Sequence, residues 1–464
     1  MNFRNDTLAR RLRSLSSVLL PLALMAGCAP ADDESAEGLE GEEGAAAEGG
    51  EAVGQRGSEL GVTYQVGPGK AYADLPSVAA KLLPGDVVEV YPKSGAYAGN
   101  VIFTRPGSAA AKITIRGVKV NGARPAIAGG TNTVEFQGNH YVFEGFDVSG
   151  GSARVLYHHA HDVTIRDTVV HDGPNHGILG ADTDSGSLTL DYVEVARCGY
   201  GGLKHSIYVA TDETKYPNAV FRMQHSYVHD SNGGNSVKSR AGRNEIYYNW
   251  VEGGTYRELD LVGPDGQDPS LKREDSDVVG NVIYQTKGVH PVRVGGDGTG
   301  ATSGRYRFVN NTFLLLPGGT KAAILAYDQV ETIELHNNVF YRPGGGAVQV
   351  VRDSEAVWAA GAARTSGTKN WAPTGSTGIP AGVTGTVMGA DPKFVDAAGR
   401  DLRLASGSPL VNAGASSFAS PSGYAFPAPL LAPAFLPPAH ALQAPGAALP
   451  RVLSGGILDI SAFE

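Results

Sequence analysis

The sequence predicts an all-β protein, a single-stranded right-handed parallel β-helix with an N-terminal capping helix. Short alternating strands recur along the chain, their spacing is that of one solenoid turn, and long helical periodicity is scarce. The chain has 464 residues, 63 of them glycine, which favours strands joined by turns. We therefore expect one solenoid body over residues 61–415.

The first 60 residues have the pattern of an export signal followed by a tether, and they do not belong to the folded body. A basic start leads into an apolar run, SVLLPLALMAG, that is too short to span a bilayer and ends at Cys28. The stretch Leu24–Cys28 resembles a bacterial lipobox, which implies a signal peptide over residues 1–27 and a lipid on Cys28. Residues 28–60 hold ten acidic residues against Arg56, which predicts a flexible tether. The alternative is an ordinary cleaved signal peptide.

The net charge of −9 restricts the partners that we expect. The body after the tether carries only about −3 and has no basic excess, so nucleic acid is a poor partner. If Cys28 is acylated, Cys198 has no intramolecular disulfide partner, and the sequence offers no cysteine-based metal site. We expect a monomer that reaches the membrane only through its lipid.

The body begins near Tyr64 with the one predicted helix. Asp74 can cap it, and its apolar face consists of Leu75, Val78, Ala79 and Leu82. A helix at this position would cover the open end of a solenoid, where exposed strand edges promote aggregation. A strand should follow at residues 87–90.

Repeated six-residue segments set the solenoid period. They are FEGFDV, IRDTVV, LDYVEV, MQHSYV, YYNWVE, VGNVIY, VNNTFL and LHNNVF, and their third residues lie 22 to 33 residues apart. The third residues are Gly145, Asp167, Tyr192, His225, Asn249, Asn281, Asn311 and Asn337. The last four predict a column of stacked asparagines that are hydrogen-bonded through their side-chain amides.

A second column gives the inner and outer faces of one sheet. Its aliphatic members should fill the bore: Ile178, Ile207, Val237, Leu259, Val292, Ile324 and Val348. The residues that follow them should face outward in one row, with rungs ~4.8 Å apart. This row is Leu179, Tyr208, Lys238, Asp260, Arg293, Leu325 and Gln349. Residues 416–464 form a Pro/Ala-rich C-terminal extension that we expect to end in a strand at 456–464.

Polar residues concentrate in the middle of the outward row, which is typical of a polysaccharide cleft. Lytic cleavage of a uronate polymer needs a group that neutralises the carboxylate, a base for the C5 proton and an acid for the leaving oxygen. Lys238 could be the base, Arg240 or Arg293 the neutralising group, and Tyr208 the acid. A neighbouring arginine would lower the pKa of Lys238, and Asp260 would raise it. The predicted substrate-binding residues are His205, Asn235, Arg257, Glu258, Asp260 and His290.

A family resemblance supports this reading. Residues 100–350 resemble the right-handed parallel β-helix superfamily that includes pectate lyases. The stretch NSVKSRAGRNEIYYN with the later RELDL resembles bacterial β-helix proteins that carry a K-S-R-A segment and an E-x-D-L segment. It is more loosely similar to alginate and chondroitin-B lyases, in which a lysine of a V-K-S stretch acts as base. The resemblance implies that role for Lys238.

We therefore expect a lipid-anchored envelope protein, at the outer membrane or cell surface, that cleaves acidic polysaccharide by β-elimination. Two alternatives remain open: a non-catalytic glycan-binding or envelope-structural protein, on which the charged row is only a solvated salt-bridge ladder, and a glycoside hydrolase using Glu258 and Asp260. The reaction requires no cofactor with certainty, and calcium is left open. Candidate calcium ligands lie in two loops, at Asp182, Asp184, Asp265 and Asp268. His158, His159 and His161 lie together but lack an acidic partner pattern, and we predict no metal site there.

Overall fold

A computed structural model describes residues 61–263, 274–297, 304–319, 322–327, 329–353, 364–427 and 433–464. The predicted signal peptide, the lipidated Cys28 and the tether lie outside the described residues. Within the described ranges, no helix is long and apolar enough to cross a membrane.

The described part of the chain consists of short strands and one short α-helix. The first coils contain β1 (Thr63–Val66), α1 (Pro76–Ala79), β2 (Val87–Val90), β3 (Tyr97–Ala98), β4 (Val101–Phe103), β5 (Ile113–Gly117), β6 (Ala126–Ala128), β7 (Asn132–Phe136), β8 (Tyr141–Glu144) and β9 (Asp147–Ser149). The middle coils contain β10 (Arg154–His158), β11 (Val163–His171), β12 (His176–Gly180), β13 (Leu188–Ala196), β14 (Ile207–Ala210), β15 (Phe221–Gln224), β16 (Tyr227–His229), β17 (Val237–Arg240), β18 (Arg243–Tyr247), β19 (Trp250–Glu252) and β20 (Leu259–Val262).

The later coils continue the same alternation. They contain β21 (Asp275–Val279), β22 (Val282–Tyr284), β23 (Val292–Gly295), β24 (Arg305–Val309), β25 (Thr312–Leu314), β26 (Ile324–Ala326), β27 (Thr332–His336), β28 (Val339–Tyr341), β29 (Val351–Asp353), β30 (Thr365–Thr368), β31 (Trp371–Pro373), β32 (Val383–Thr384) and β33 (Val387–Gly389). An antiparallel hairpin follows, formed by β34 (Phe394–Asp396) and β35 (Asp401–Leu404).

Two parallel sheets run along the solenoid. A ten-stranded sheet takes one strand from each coil in the order β4, β7, β10, β12, β14, β17, β20, β23, β26, β29. The remaining coil strands, β1 to β33, form a long sheet of 23 strands. Each strand pairs in parallel with strands of the coils before and after it, which confirms the predicted β-helix and fits its right-handed form.

The bore is filled by the predicted aliphatic column. Ile178, Ile207, Val237, Leu259, Val292 and Ile324 are buried and lie opposite one another in successive strands. The prediction was wrong at the last rung, where Val351 and not Val348 pairs with Ile324. The glycine-rich turn before this strand consumes more residues than the pattern allowed, so β29 begins at Val351.

The asparagine column exists, but the aligned segments do not share one register, because YYNWVE, VGNVIY and VNNTFL begin one residue later in their coils than the other five. Asn249, Asn281 and Asn311 continue to Asn338 and Asn370, and each backbone N–H donates to the next asparagine Oδ1 at 2.8–3.0 Å. Asn337 instead has a left-handed backbone with φ 55°, as Asn310 and Tyr248 do. The doubled residues Tyr247–Tyr248 and Asn337–Asn338 make two registers look alike in the sequence, which explains the displacement.

The helix lies where it was predicted but is a single turn. The Asp74 Oδ1 accepts a hydrogen bond from the Ser77 N–H at 3.0 Å, and Leu75, Val78 and Leu82 are buried in the first coils. Its action as a cap over the solenoid end stays a prediction.

The C-terminal extension packs against the body without forming the predicted final strand. Residues 457–464 contain no strand, and Ile460, Ala462 and Phe463 pack against a cluster that includes Trp250 and Trp371. Side-chain packing and hydrogen bonds from the body hold this segment in place without strand pairing. Its apolar residues are therefore buried although the segment is not a strand. The extension covers an apolar outer face of the long sheet.

Candidate active site on the ten-stranded sheet

The predicted outward row lies in register on the ten-stranded sheet. Leu179 is opposite Tyr208, and the row continues through Lys238, Asp260, Arg293 and Leu325 on successive strands. Its last predicted member was wrong, because Arg352 and not Gln349 lies beside Leu325. Side chains that are far apart in the sequence therefore lie side by side.

Burial distinguishes this surface from an ordinary charged one. The side chain of Lys238 is 14% exposed, whereas Asp260 and Arg240 are only 1% and 3% exposed. Asp260 and Arg240 are shielded from solvent by their neighbours: Arg293 and Asn235 contact Asp260, and Tyr208, Gly263 and Asp297 contact Arg240. The ion pairs here act in a medium that screens charge less than water does.

Arg240 connects the row to the loops at the carboxyl edge of the sheet. Its Nε donates to the Tyr208 hydroxyl oxygen at 3.0 Å, its Nη1 to the Gly263 carbonyl at 2.7 Å, and its Nη2 to Asp297 Oδ2 at 2.6 Å. These contacts fix the planar guanidinium and hold the Tyr208 hydroxyl in place.

Asp260 is the anionic centre of the row. Arg293 donates to both of its oxygens, at 2.5 and 2.8 Å, and Asn235 Nδ2 donates to Oδ2 at 2.9 Å. Arg257 Nε lies 4.0 Å from Asp260 Oδ1. Burial alone would raise the pKa of Asp260, but the charges of Arg293 and Arg257 hold it well below its usual range. Asp260 is therefore a carboxylate at every pH of interest.

Lys238 lies between these two groups. Its Nζ is 3.6 Å from Asp297 Oδ2 and 5.0 Å from the centre of the Tyr208 ring. Burial lowers the pKa of Lys238 and Arg240 lowers it further, which together outweigh the opposing effect of Asp260 and Asp297. The neutral amine, the form that can act as a base, is thus reached at a lower pH than in an exposed lysine.

Two predicted binding residues lie at the amino edge of the same strands. The His205 Nδ1 accepts a hydrogen bond from the Asn235 backbone N–H at 2.9 Å, and the His205 ring meets the Tyr208 ring edge to face at 5.5 Å. Burial and the charge of Lys238 keep the pKa of His205 well below its ordinary value, so the ring is neutral. His290 is buried and lies 3.0 Å from the Ala322 carbonyl, on the next coil.

Glu258 corrects the sequence interpretation. It is fully buried and precedes β20 at a corner of the solenoid, so it does not face the cleft. Burial raises its pKa well above the ordinary range, and the nearby Glu252 raises it further. Since Glu258 is buried and Asp260 is bound by Arg293, these two carboxyl groups do not form the pair that a hydrolase would need.

The site carries an excess of positive charge. Among the residues that the structure describes, Lys238, Arg240, Arg257 and Arg293 oppose two carboxylates, Asp260 and Asp297, which leaves a formal charge of about +2 when Lys238 is protonated. A bound carboxylate group would relieve this excess.

Sequence reasoning missed Asp297. It lies four residues after Arg293 in the stretch GGDG, which reads as an ordinary turn, yet it contacts Lys238 and Arg240. Its distance in the chain from Arg240 gave no signal of contact. It also missed Glu213, a buried loop carboxyl whose pKa burial raises to about 8.

The candidate metal ligands do not come together. Among the described residues, no group of three or more histidine, cysteine, aspartate or glutamate side chains could hold a metal ion. Asp184 pairs with Lys215, and burial lowers the pKa of His158 to about 4. The loop with Asp265 and Asp268 lies outside the described residues.

Comparisons with known proteins return structural likeness only. No family model and no curated protein matches the chain. The chain is similar to pectate lyase Pel9A, with 14% identity, a TM-score of 0.49 and coverage of 88% of this chain and 97% of that one. It is also similar to an alginate lyase from Paenibacillus sp. str. FPU-7, with 17% identity, a TM-score of 0.42 and coverage of 60% of this chain and 94% of that one. A PL6 family polysaccharide lyase from Pseudopedobacter saltans has 13% identity, a TM-score of 0.39 and coverage of 71% of this chain and 91% of that one. These values assign no activity to this chain.

Proposed function

We propose that this protein is a polysaccharide lyase that cleaves an acidic polymer by β-elimination on the ten-stranded sheet. The observation that carries the proposal is the environment of Lys238, a partly exposed amine of lowered pKa within a net positive cluster. A uronate polymer lying along the outward row would place its carboxylate among Arg240, Arg257 and Arg293. There it would meet the unbalanced charge of the site.

The reaction assigns one role to each group. The neutral Lys238 amine takes the C5 proton, the electron pair of that bond forms the C4–C5 double bond, and the bond from C4 to the glycosidic oxygen breaks. Tyr208 gives its proton to the leaving oxygen. The Arg240 Nε, which donates to the Tyr208 oxygen at 3.0 Å, stabilises the phenolate that remains. Arg240, Arg257 or the Asp260-bound Arg293 stabilises the negative charge that develops on the uronate carboxylate.

Ultraviolet absorbance of the unsaturated product tests the proposal. We expect the full chain to produce it from one or more of alginate, pectate, chondroitin and heparin, and Lys238→Ala to abolish it. Lys93→Ala, an exposed lysine on an early coil, is the matched control and should keep full activity. Reducing ends without ultraviolet absorbance would instead indicate hydrolysis and would contradict the lyase.

A non-catalytic glycan-binding protein is the second candidate. The two-pronged contact of Arg293 with Asp260 favours it, because such paired charges also build a rigid binding surface without chemistry. Retention on a column of the same polymers, with no turnover and with loss of retention in Arg293→Gln, would support this candidate over the lyase.

We also propose that the chain is exported and held at the outer membrane or cell surface by a lipid on Cys28, and that it acts as a monomer. Mass spectrometry of the mature N-terminus tests the anchor. We expect a lipid-modified cysteine at position 28 and release of Cys28→Ser into the soluble fraction. An unmodified mature N-terminus would contradict it.

A further inference from the structure

A polar cavity opens beside the proposed cleft. Its volume is about 550 Å³, and its lining includes Gln137, Asn139, His159, Asp184, Lys215 and Tyr216. The Tyr216 ring stacks on His161 at 4.6 Å with 10° between the planes, and its hydroxyl lies 3.4 Å from Asn139 Nδ2. The cavity thus has one aromatic ring held in place, that of Tyr216, and two side-chain amides, those of Gln137 and Asn139.

The cavity and Arg240 lie at the same edge of the same sheet, and Lys238 lies two residues before Arg240 in β17. Gln137 follows β7, His159 follows β10, and Lys215 follows β14, so these residues lie where the strands end. Arg240 ends β17 on that edge, since all ten strands are parallel. From β10, in the middle of the cavity, to β17 is three rungs, or ~14 Å. An oligosaccharide lying along the row would reach both places.

The two places differ in charge. Lys215 pairs with Asp184, so the charges that line the cavity cancel. Burial lowers the pKa of His159, which favours its neutral form, and Glu135 lies 4.0 Å from it. A second carboxylate in the cavity would meet a lysine that Asp184 already neutralises, whereas amides and an aromatic ring suit the hydroxyls and the apolar face of a neutral sugar.

We propose that this cavity is a subsite for an uncharged sugar residue of the polymer, so that the substrate is a heteropolymer in which uronate and neutral sugars alternate. With about one sugar residue per rung, a uronate at Lys238 puts a neutral residue three positions away in the cavity. This inference rests on the proposed function, because it uses Lys238 as the site of the uronate.

Calorimetric binding of defined hexasaccharides tests the inference, with Lys238→Ala as the background so that nothing is cleaved. The alternating probes are hyaluronan, unsulfated chondroitin and heparosan, and the all-uronate probes are polymannuronate and polygalacturonate. We expect at least one alternating probe to bind more tightly than both all-uronate probes. Tyr216→Ala should weaken that probe about tenfold, while leaving the all-uronate probes unchanged.

Two further variants sharpen the result. Asp184→Asn leaves the Lys215 charge without its partner and should strengthen binding of the all-uronate probes. Tyr424→Ala, a tyrosine of the C-terminal extension that contacts Arg364, is the matched control and should change no affinity. Thermal unfolding confirms that each variant is folded.

The outcomes separate this inference from the proposed function. If Tyr216→Ala weakens all probes equally or none of them, or if all-uronate probes bind best, the neutral subsite is wrong even when the unmutated chain cleaves a polymer. If discrimination by Tyr216 holds but the unmutated chain gives no unsaturated product, the subsite stands and the lyase falls. Absence of binding by every probe overturns both.

Discussion

Lys238 and Asp260 lie on neighbouring strands, yet the site shifts their pKa values in ways that serve different roles. Asp260 stays ionised because Arg293 and Arg257 outweigh the cost of its burial, and Lys238 is driven toward its neutral form because Arg240 adds to that cost. Arg293, which helps to keep Asp260 ionised, also lowers the pKa of Lys238. At this scale the chemistry depends on which charges contact each group, not on the residue type alone.

The pH dependence of cleavage should follow the charges around Lys238. Activity should rise with pH through the lowered pKa of Lys238, because the neutral amine is the base. Arg240→Gln removes a cation that lowers this pKa and should move the profile to higher pH. Asp297→Asn removes an anion that raises it and should move the profile to lower pH.

Steady-state rates across pH measure both shifts. Arg305→Gln, which loses an ion pair with Glu331 elsewhere on the coil, is the control and should leave the profile in place. Shifts of the same sign in Arg240→Gln and Asp297→Asn would show that Lys238 does not control the profile.

Glu258 should make the protein less stable as pH rises. Its pKa is raised in the folded state from the ordinary 4.5, so the folded chain keeps a proton that the unfolded chain releases. The stability is fully present below that ordinary pKa and falls by about 1.4 kcal/mol for each pH unit above it, until the folded group also ionises. Glu258→Gln removes this loss and should be more stable than the unmutated chain at neutral pH.

Chemical denaturation at several pH values measures this difference. The gain in unfolding free energy should shrink toward acidic pH and vanish below the ordinary pKa of a glutamate. Glu89→Gln, a glutamate on an early coil that hydrogen-bonds Gln65, should not show the same trend. A Glu258→Gln variant that loses stability equally at every pH would indicate that the carboxyl is needed for packing.

At the scale of single elements, the asparagine column links coils through side chains as well as backbones. The Asn311 Oδ1 accepts from the Asn281 backbone N–H and Nδ2, both at 3.0 Å, while its Nδ2 donates to the Val278 carbonyl and to Asn338 Oδ1. Asn311 is fully buried, so water cannot replace these partners. Each asparagine thus satisfies polar groups on the coils before and after it.

Asn311→Ala should lower the free energy of unfolding by about 2–4 kcal/mol, because it leaves buried donors and acceptors unpaired. Asn218→Ala, at an exposed loop position, should change it by less than about 0.5 kcal/mol. Denaturant titration of both variants gives the comparison. A cost for Asn311→Ala no larger than that of the loop control would mean that the column contributes little to holding the coils together.

The sequence predicted elements better than it predicted their contacts. A period-two pattern identifies Val237 and Leu259 as inward and Lys238 and Asp260 as outward, because alternation fixes direction. The pattern does not show which side chains cover one another, so the burial of Arg240 and Asp260 could not be predicted. Register also failed where a residue is doubled, as at Asn337 and Asn338, or where a glycine-rich turn adds residues before Val351. Asp297 could not be found, since loop length varies from coil to coil.

At the scale of the whole molecule, one buried arginine holds together the end of the C-terminal extension, which packs on the body. Arg451 donates to the backbone carbonyls of Ser461, Ala462 and Phe463 and to Glu464 Oε2. The segment that it holds places Ile460 and Phe463 on the apolar outer face of the long sheet. Without this cover the solenoid would expose a contiguous apolar surface.

Arg451→Leu should therefore release the last residues and destabilise the protein by about 3–5 kcal/mol, since several buried carbonyls lose their donor and Glu464 loses its cation. Arg403→Ala removes an exposed pair with Asp401 and should cost less than about 1 kcal/mol. Thermal unfolding with a dye that binds exposed apolar surface distinguishes the two. Lower Tm together with increased dye binding below the transition is expected for Arg451→Leu alone. If its Tm falls without any increase in dye binding, Arg451 stabilises the extension itself, and the extension does not serve as a cover for the long sheet.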